Sequence, residues 1–348
     1  MFRKPKCLIG LDLGTQTLKA IEISLDGSEP VITGFARVEV PVGSERSVAL
    51  GQLYEQGKFR TKAVATGVAG QNVVVRYISM VPMSDAELRQ AIRFESDKYL
   101  PFDAADVVLD CQRLQRRSHA EGDNDAEGQV GVVLVACQKS VVHSQLQDVV
   151  FHGLQPTIVD VDVFALANAW EMSAASAVRG DDGGEQGVAL VDVGATRTQI
   201  NVLLGGETCF SREIGIAGGD MTQAVARRLG LELFEAEALK RTPGDREVEV
   251  ARAISPVLED LVSEISLSLD YVENREGVRV EEVLLSGGGS LAPGAVAFIE
   301  QALGRPTRVW NPLDGLRVDA DRVNVEELEA NSASLAVAIG LASRVRAA

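Results

Sequence analysis

Histidine and cysteine are scarce in this chain, with three of the first and four of the second among 348 residues. His119, His143 and His152 show neither ligand nor triad spacing, so no chemistry is assigned to them. Cys7, Cys111, Cys137 and Cys209 stand far apart without a CxxC pair, mostly among apolar or β-branched neighbours. That pattern argues against a zinc or redox motif and predicts buried free thiols in a reducing compartment. Long apolar runs are missing too: nothing approaches the roughly 18–20 residues that cross a bilayer. The start at Phe2–Lys6 is too short and polar for a signal peptide, so a cytoplasmic location is expected. Basic residues are in deficit, 34 Lys and Arg against 50 Asp and Glu, leaving a net charge of −16. A general nucleic-acid or anionic-lipid surface is therefore disfavoured, and any phosphate ligand must be held locally.

What the chain does contain is globular in character, 46% hydrophobic and 24% charged, and long enough to favour two domains. It is organised around a repeated design. Cys7–Ser24 reads CLIGLDLGTQTLKAIEIS and Gly187–Leu204 reads GVALVDVGATRTQINVLL, and the two align without gaps. Each is an apolar run ending in Asp-x-Gly, a few small polar residues, then a second β-rich run. This is a strand, a tight turn and a returning strand, with a carboxylate at the mouth. Asp12 and Gly14 stand in the first copy, Asp192 and Gly194 in the second. A duplicated fold with one acidic hairpin in each half is expected.

Between and after the hairpins the pattern is α/β. A turn at Asp26-Gly27-Ser28 leads to a third strand, Val31–Val40, and the short β-rich pieces Ala63–Gly67 and Val73–Ile78 are expected to extend the same sheet. Ser84-Asp85-Ala86-Glu87 reads as a capping box opening a helix that Pro101 stops. Strands at Asp106–Leu114 and Val130–Cys137 flank the polar loop Gln115–Gln129; this β-α-β-β unit interrupts the first half and is a candidate specialised surface. A helix at Ser140–Phe151, a strand at Thr157–Val163 and a helix at Phe164–Met172 follow, and Ser173–Gln186 reads as a linker and domain boundary. The second half repeats the meander through Thr208–Ile214. It continues with a helix after Gly218-Gly219-Asp220, another at Leu233–Arg241, and a long helical stretch Glu247–Asn274 in which Pro256 is read as a new helix start. A buried strand, Glu282–Leu285, precedes Ser286-Gly287-Gly288-Gly289-Ser290 and the helix Pro293–Leu303. The last helix, Ser332–Val345, is expected to pack back on the first half; it is more Ala-rich than amphipathic, so direct membrane contact is the weaker reading.

Two Asp-x-Gly hairpins facing each other suit a nucleoside triphosphate with Mg²⁺. Glycine lets backbone N–H groups approach phosphate oxygens, and carboxylates hold the ion through its retained waters. Lys19 can supply a point charge to the terminal phosphates. The Gly287-Gly288-Gly289-Ser290 turn allows a base or ribose to approach backbone closely.

In this order, DLGTQTLK, DVGATRTQI and LSGGGS resemble the two phosphate loops and the adenosine loop of the actin, heat-shock chaperone and sugar-kinase superfamily. Within it, AIRFESDKYLPFD, VDVDVFALANAW, GGDMTQAVARRLGLELFEAEALK and VWNPLDGL with the terminal SLAVAIGLASR resemble FtsA and, more closely, the PilM family of actin-like type IV pilus proteins. The resemblance covers essentially the whole chain. It implies an α/β, actin-like (ribonuclease H-like) duplicated fold around a nucleotide cleft. The first core would be residues 1–80 and 158–175, the FtsA-type insert 81–157, the second core 187–215 and 276–310, a helical subdomain 216–275, and the return to the first core 311–348. It implies ATP or ADP with Mg²⁺, bound by Asp12, Gly14, Thr15, Gln16 and Lys19 in the first loop and by Asp192, Gly194, Ala195 and Thr196 in the second. Gly218 and Gly219 would lie beside the nucleotide, Glu237 and Lys240 would face ribose and adenine, and Gly287, Gly288, Gly289 and Ser290 would form the adenosine loop. Asp12 and Asp192 would hold Mg²⁺ through water.

The resemblance also implies partners: the N-terminal cytoplasmic tail of a PilN-like membrane protein in a groove beside the insert, other pilus platform and motor proteins, and further copies of the chain. No nucleic acid is implied, and membrane association at the inner face of the inner membrane would be indirect. No residue is identified as activating water; Asp160 and Asp162 are the candidates, and Arg197 replaces a small residue common in the second loop of active family ATPases. At most a slow ATPase is expected. Two alternatives share the fold: a small-molecule kinase, which needs a general base and a polar substrate pocket, and a platform protein like type II secretion protein L.

Overall fold

The computed structural model describes residues 7–25, 29–41, 46–114, 129–173 and 186–346. The predicted turn at Asp26-Gly27-Ser28 lies outside them, as do nearly all of the polar loop 115–129 and of the linker 173–186. The first hairpin is β1 (Cys7–Leu13) and β2 (Thr17–Ser24), and β3 (Val31–Glu39) completes an antiparallel meander. Helix α1 (Arg46–Gly57) leads to β4 (Ala63–Val68), which runs parallel beside β1 and is buried at every position, as a central strand covered on both faces should be.

Here the chain leaves the sheet. Strand β5 (Val73–Met80), helix α2 (Asp85–Glu95), β6 (Val107–Arg113) and β7 (Val130–Gln138) build a separate three-stranded sheet in the order β5-β7-β6. The expectation that Val73–Ile78 would extend the first sheet is corrected: its cross-strand partner is β7. Alternation of apolar residues fixes which face a strand buries, not which strand it joins. The Ser84/Glu87 capping box is present at α2. Helix α3 (Lys139–Phe151) returns the chain, β8 (Gln155–Val161) pairs with β4, and α4 (Asp162–Met172) closes the first half.

The second half repeats this plan. Its β9 (Gly187–Val193), β10 (Thr198–Leu204) and β11 (Glu207–Ile214) form the meander. Three helices follow, α5 (Gly218–Leu229), α6 (Leu233–Arg241) and α7 (Glu247–Glu276), then β12 (Val280–Ser286), α8 (Ala295–Leu303) and β13 (Thr307–Val309). Strand order is β11-β10-β9-β12-β13, the counterpart of β3-β2-β1-β4-β8 in the first sheet. Even the hairpin registers agree: Asp12 stands opposite Lys19, and Asp192 opposite Gln199. The duplication read from sequence is thus a duplication of strand pairing.

Two helices differ from expectation. Pro256 starts no new helix but lies inside a continuous α7. It sits on an exposed face, and the Arg252 carbonyl that a proline N–H cannot reach accepts the Ser255 hydroxyl at 3.4 Å instead. Helix α1, with Gly51 and Gly57 in it, was not anticipated; Gly51 lets His152 approach, since a Cβ there would stand 3.0 Å from the ring.

The chain ends in β14 (Arg317–Val318), which pairs with β3, then α9 (Val325–Ala330) and α10 (Ala336–Ala342). As predicted, the last helix returns to the first half. Every residue of α10 is buried, in one cluster with Leu8, Ile21, Ala165, Leu166 and Trp170. The four cysteines are free, but only Cys137 is buried; Cys7, Cys111 and Cys209 are half-buried.

Candidate functional site

The paired hairpins bring their turns together from opposite halves: the Thr15 and Thr196 hydroxyls lie 3.4 Å apart. Both turns are shaped by glycine in the same way. A Cβ at Gly14 would stand 2.5 Å from the Thr17 carbonyl oxygen, and one at Gly194 would stand 2.9 Å from that of Arg197. Thr15, Gln16 and Thr196 are exposed at the turn tips, and Ala195 is half-buried.

Beneath the turns, charge converges. Lys19 Nζ donates to Asp12 Oδ2 at 2.5 Å, the contact that the β1/β2 register dictates. Asp192, one residue before the end of β9, accepts the Ser286 hydroxyl at 2.8 Å from the neighbouring end of β12. A third carboxylate, Asp162, opens α4 and lies over Gly67, where a Cβ would stand 1.8 Å from its Oδ1. Burial alone would lower the Lys19 pKa, but Asp12 in contact, with Asp192 and Asp162 beyond it, raises it. Burial and the Asp12 charge push the Asp162 carboxyl up to about 8, against the opposing charge of Arg197. Burial also raises Asp192, against Lys19 and the Ser286 hydrogen bond.

Of the two aspartates weighed from sequence, then, Asp162 stands among Asp12, Asp192 and Lys19. Asp160 is turned away into an ion pair with Arg344 Nε at 3.3 Å.

Three carboxylates from both halves thus gather with one ammonium and the Arg197 guanidinium, and because burial holds the pKa values of Asp162 and Asp192 up, added positive charge there would favour their ionised forms. Among the described residues no cluster of three or more His, Cys, Asp or Glu is arranged to hold a metal by itself. Asp12 and Asp192 are the residues that would hold a hydrated Mg²⁺ through its waters, with Lys19 beside them.

The remaining predicted residues brace this site or floor it. Gly218 N–H donates to the Gly194 carbonyl at 2.9 Å and Gly219 N–H to that of Ala195 at 2.8 Å, so the start of α5 holds the second turn in shape. Lys240 is buried; its Nζ donates to the Gly218 carbonyl at 2.8 Å and the Thr222 hydroxyl at 2.7 Å, and pairs with Glu237 at 2.7 Å. Glu237 also accepts from Thr222 and from Arg241 Nε at 2.8 Å, and Arg241 reaches Glu39 of the first half at 2.7 Å. Burial opposes ionisation of Glu237, but the hydrogen bonds from Lys240 and Thr222 outweigh it and hold its pKa at about 2.

Gly287, with φ +83°, packs on the end of β9, where a Cβ would stand 2.3 Å from the Val193 carbonyl oxygen. Gly289 packs on Val193 as well, and Ser290 folds back onto the Gly287 carbonyl at 2.7 Å. Gly288 is the one glycine of this turn that faces open space. Sequence reasoning did not assign Ser286, Glu213 or Gly70; the last two become visible only through contacts between the halves.

Two sheets of matched strand order, joined by paired acidic hairpins at a shared cleft and returned upon by a C-terminal helix, make the fold actin-like. A solved structure of the ethanolamine utilization protein EutJ from Carboxydothermus hydrogenoformans superposes with a TM-score of 0.56 over 97% of this chain and 90% of that one; at 14% identity the likeness is one of fold. The cell division protein FtsA of Pseudomonas aeruginosa is 25% identical over 358 residues, spanning 88% of this chain and 83% of that protein. The family is narrower than the fold. The profile described as Type IV pilus assembly protein PilM matches residues 10–346, and the chain belongs to that family. A solved structure described as a PilM–PilN type IV pilus biogenesis complex superposes with a TM-score of 0.83, at 29% identity, over 99% of each chain.

Proposed function

We propose that this chain is a nucleotide-binding scaffold of type IV pilus assembly. ATP or ADP with Mg²⁺ occupies the cleft between the hairpins, sets how far the halves close, and so biases a groove beside the insert that takes the cytoplasmic tail of a PilN-like membrane protein. The observation that carries the reading is the convergence of Asp12, Asp162 and Asp192 on Lys19 from both halves. A ligand that bridges the halves acts through its different affinity for their open and closed arrangements. Bound there, the nucleotide supplies phosphates that Mg²⁺ and Lys19 neutralise. This chain's own part is to bring the two turns together from opposite halves and to offer Gly288 as open floor.

No helix among the described residues is long and apolar enough to cross a membrane. In this reading the protein therefore reaches the inner face of the inner membrane through its partner's tail, where other platform and motor proteins and further copies of the chain can meet it. The reading asserts binding rather than turnover; Asp162 is the residue at which hydrolysis is to be sought.

The test is thermal unfolding with and without MgATP or MgADP, for the native protein and for Asp192→Ala, after removal of any nucleotide that co-purifies. Ligand at a hundred times its dissociation constant adds about 2.7 kcal/mol, which for a unit of this size is a rise of several degrees. A rise lost in Asp192→Ala supports the cleft as the site. Nucleotide-free protein with no shift from either nucleotide removes the switch. Binding of the PilN-like tail that is indifferent to nucleotide and to Asp192→Ala removes the coupling.

A further inference from the structure

Arg197 closes the second hairpin turn and stands between two groups of partners. On the cleft side its charge opposes the upward shift of Asp162. On the other side its Nη1 lies 3.5 Å from Glu213 Oε2 on β11, and the same carboxylate oxygen accepts the Gly70 N–H at 2.9 Å. Gly70 belongs to the turn between β4 and β5, where the chain leaves the first sheet to begin the insert. Its φ is +100°, and a Cβ there would stand 2.8 Å from Arg197 Nη1, so the guanidinium rests against a bare backbone.

Asp162 and Arg197 thus flank one short stretch, the first over Gly67 and the second over Gly70. A second tie lies further along β5, where the Tyr77 and Ser211 hydroxyls are 3.1 Å apart. The Gly70 and Tyr77 contacts fasten the start of the insert to the edge strand of the second half, and the first shares its carboxylate with an arginine of the second hairpin turn.

We propose that Arg197 is a ligand for the terminal phosphate of a nucleoside triphosphate, and that taking this phosphate draws it off Glu213 and Gly70 and loosens the seat of the insert. The proposal rests on the nucleotide reading above and adds to it the residue that tells triphosphate from diphosphate. The contest is uneven. The Arg197–Glu213 pair is a single contact at 3.5 Å with both side chains about a third exposed, a geometry in which ion pairs are weak. A phosphate offers the guanidinium two parallel charge-assisted hydrogen bonds at a place where Lys19 and Mg²⁺ already hold the other phosphates. Linkage then requires the converse: whatever weakens the hold of Glu213 on Arg197 tightens triphosphate binding and leaves diphosphate binding alone.

The experiment titrates the full chain with the non-hydrolysable analogue AMPPNP and with ADP, both with Mg²⁺, and follows amide exchange of residues 69–80 in each state. The native protein is compared with Arg197→Ala, Arg197→Lys and Glu213→Gln. Arg197→Ala should weaken AMPPNP at least tenfold and ADP less than twofold. Arg197→Lys, which keeps the charge and loses the fork, should fall between. Glu213→Gln keeps an acceptor for Gly70 and should tighten AMPPNP several-fold with ADP unchanged, so the proposal stays testable even if Arg197→Ala does not fold. In the native protein the Gly70 amide and the start of β5 should exchange faster with AMPPNP than with ADP. If both nucleotides bind but Arg197→Ala and Arg197→Lys weaken them equally or not at all, or if exchange over 69–80 is the same with each, the inference fails while the nucleotide reading stands. If neither nucleotide binds the native protein, both fall.

Discussion

Replacing Gly340 by alanine sets two effects of opposite sign against each other. Gly340 lies inside α10, where local helix propensity favours alanine over glycine by about 1 kcal/mol. Tertiary packing points the other way. A Cβ at Gly340 would stand 1.7 Å from the Ala165 carbonyl oxygen, 2.5 Å from its carbon and 2.9 Å from its Cα, and all three are backbone atoms of α4. The helices would have to part by roughly 1.5 Å to restore ordinary contact between heavy atoms. Retreat is blocked on the other side, because Gly10 of β1 lies just as close: a Cβ there would stand 2.0 Å from the Ala338 carbonyl oxygen. Helix α10 is wedged between β1 and α4, with Leu335, Ile339 and Leu341 fully buried around it.

Overpacking of this kind costs typically about 1–3 kcal/mol, with more where backbone must shift. The net expectation is a loss of about 2 kcal/mol, with packing prevailing over propensity. The chain has two tryptophans, Trp170 and Trp310, and both are buried in the cluster that holds α10. Intrinsic fluorescence during urea or thermal unfolding therefore reports on this cluster, while circular dichroism follows the whole molecule. At about 2–4 °C per kcal/mol for a unit of this size, the fluorescence midpoint should fall by several degrees. A midpoint unchanged or raised would show that α10 does not sit against α4 as described, and the return of the chain to the first half would have to be abandoned.

Acid should find the brace between α5 and α6. The Glu237 pKa is held at about 2, below its ordinary 4.5, so its contribution is fully present above about pH 4.5 and is lost as pH falls toward 2. The shift corresponds to about 3 kcal/mol, part of which the cost of burying Lys240, whose pKa burial lowers, takes back. Glu237→Gln should therefore lose stability at neutral pH and show a flatter decline than the native protein between pH 4.5 and 2, measured by denaturant titration at each pH; parallel curves would refute the pairing. At the start of α2, Ser84→Ala removes the hydroxyl half of the capping box and should cost about 1 kcal/mol, seen as faster amide exchange in the first turn of the helix with the hairpins unaffected. Equal exchange in the two proteins would mean that the box contributes nothing there.

The hairpins were legible because two local signals coincide in them: an apolar run ending in Asp-x-Gly, and a second β-rich run returning after a few small polar residues. The return of the last helix was legible from its uniform small apolar residues, which leave no polar face to give to solvent. What local pattern could not carry was partnership. The sequence of β5 marks a strand equally well whether its neighbour is β4 or β7. The Gly218-Gly219 pair is expected beside the nucleotide, and its amides are engaged by the second turn. Lys240 is expected, with Glu237, to face ribose and adenine, and the fold closes its ammonium beneath Gly218 and Thr222.

Arg197 shows the limit most clearly. From sequence it is only a departure from the small residue common at that position, because Glu213 stands sixteen residues onward and Gly70 in the other half. Only when β11 comes to lie against the turn before β5 do the three meet, and a residue that reads from sequence as a mere departure is held beside the start of the insert with its charge acting on Asp162. Substitutions at such a position are therefore better judged by where the side chain is held than by what a relative carries there.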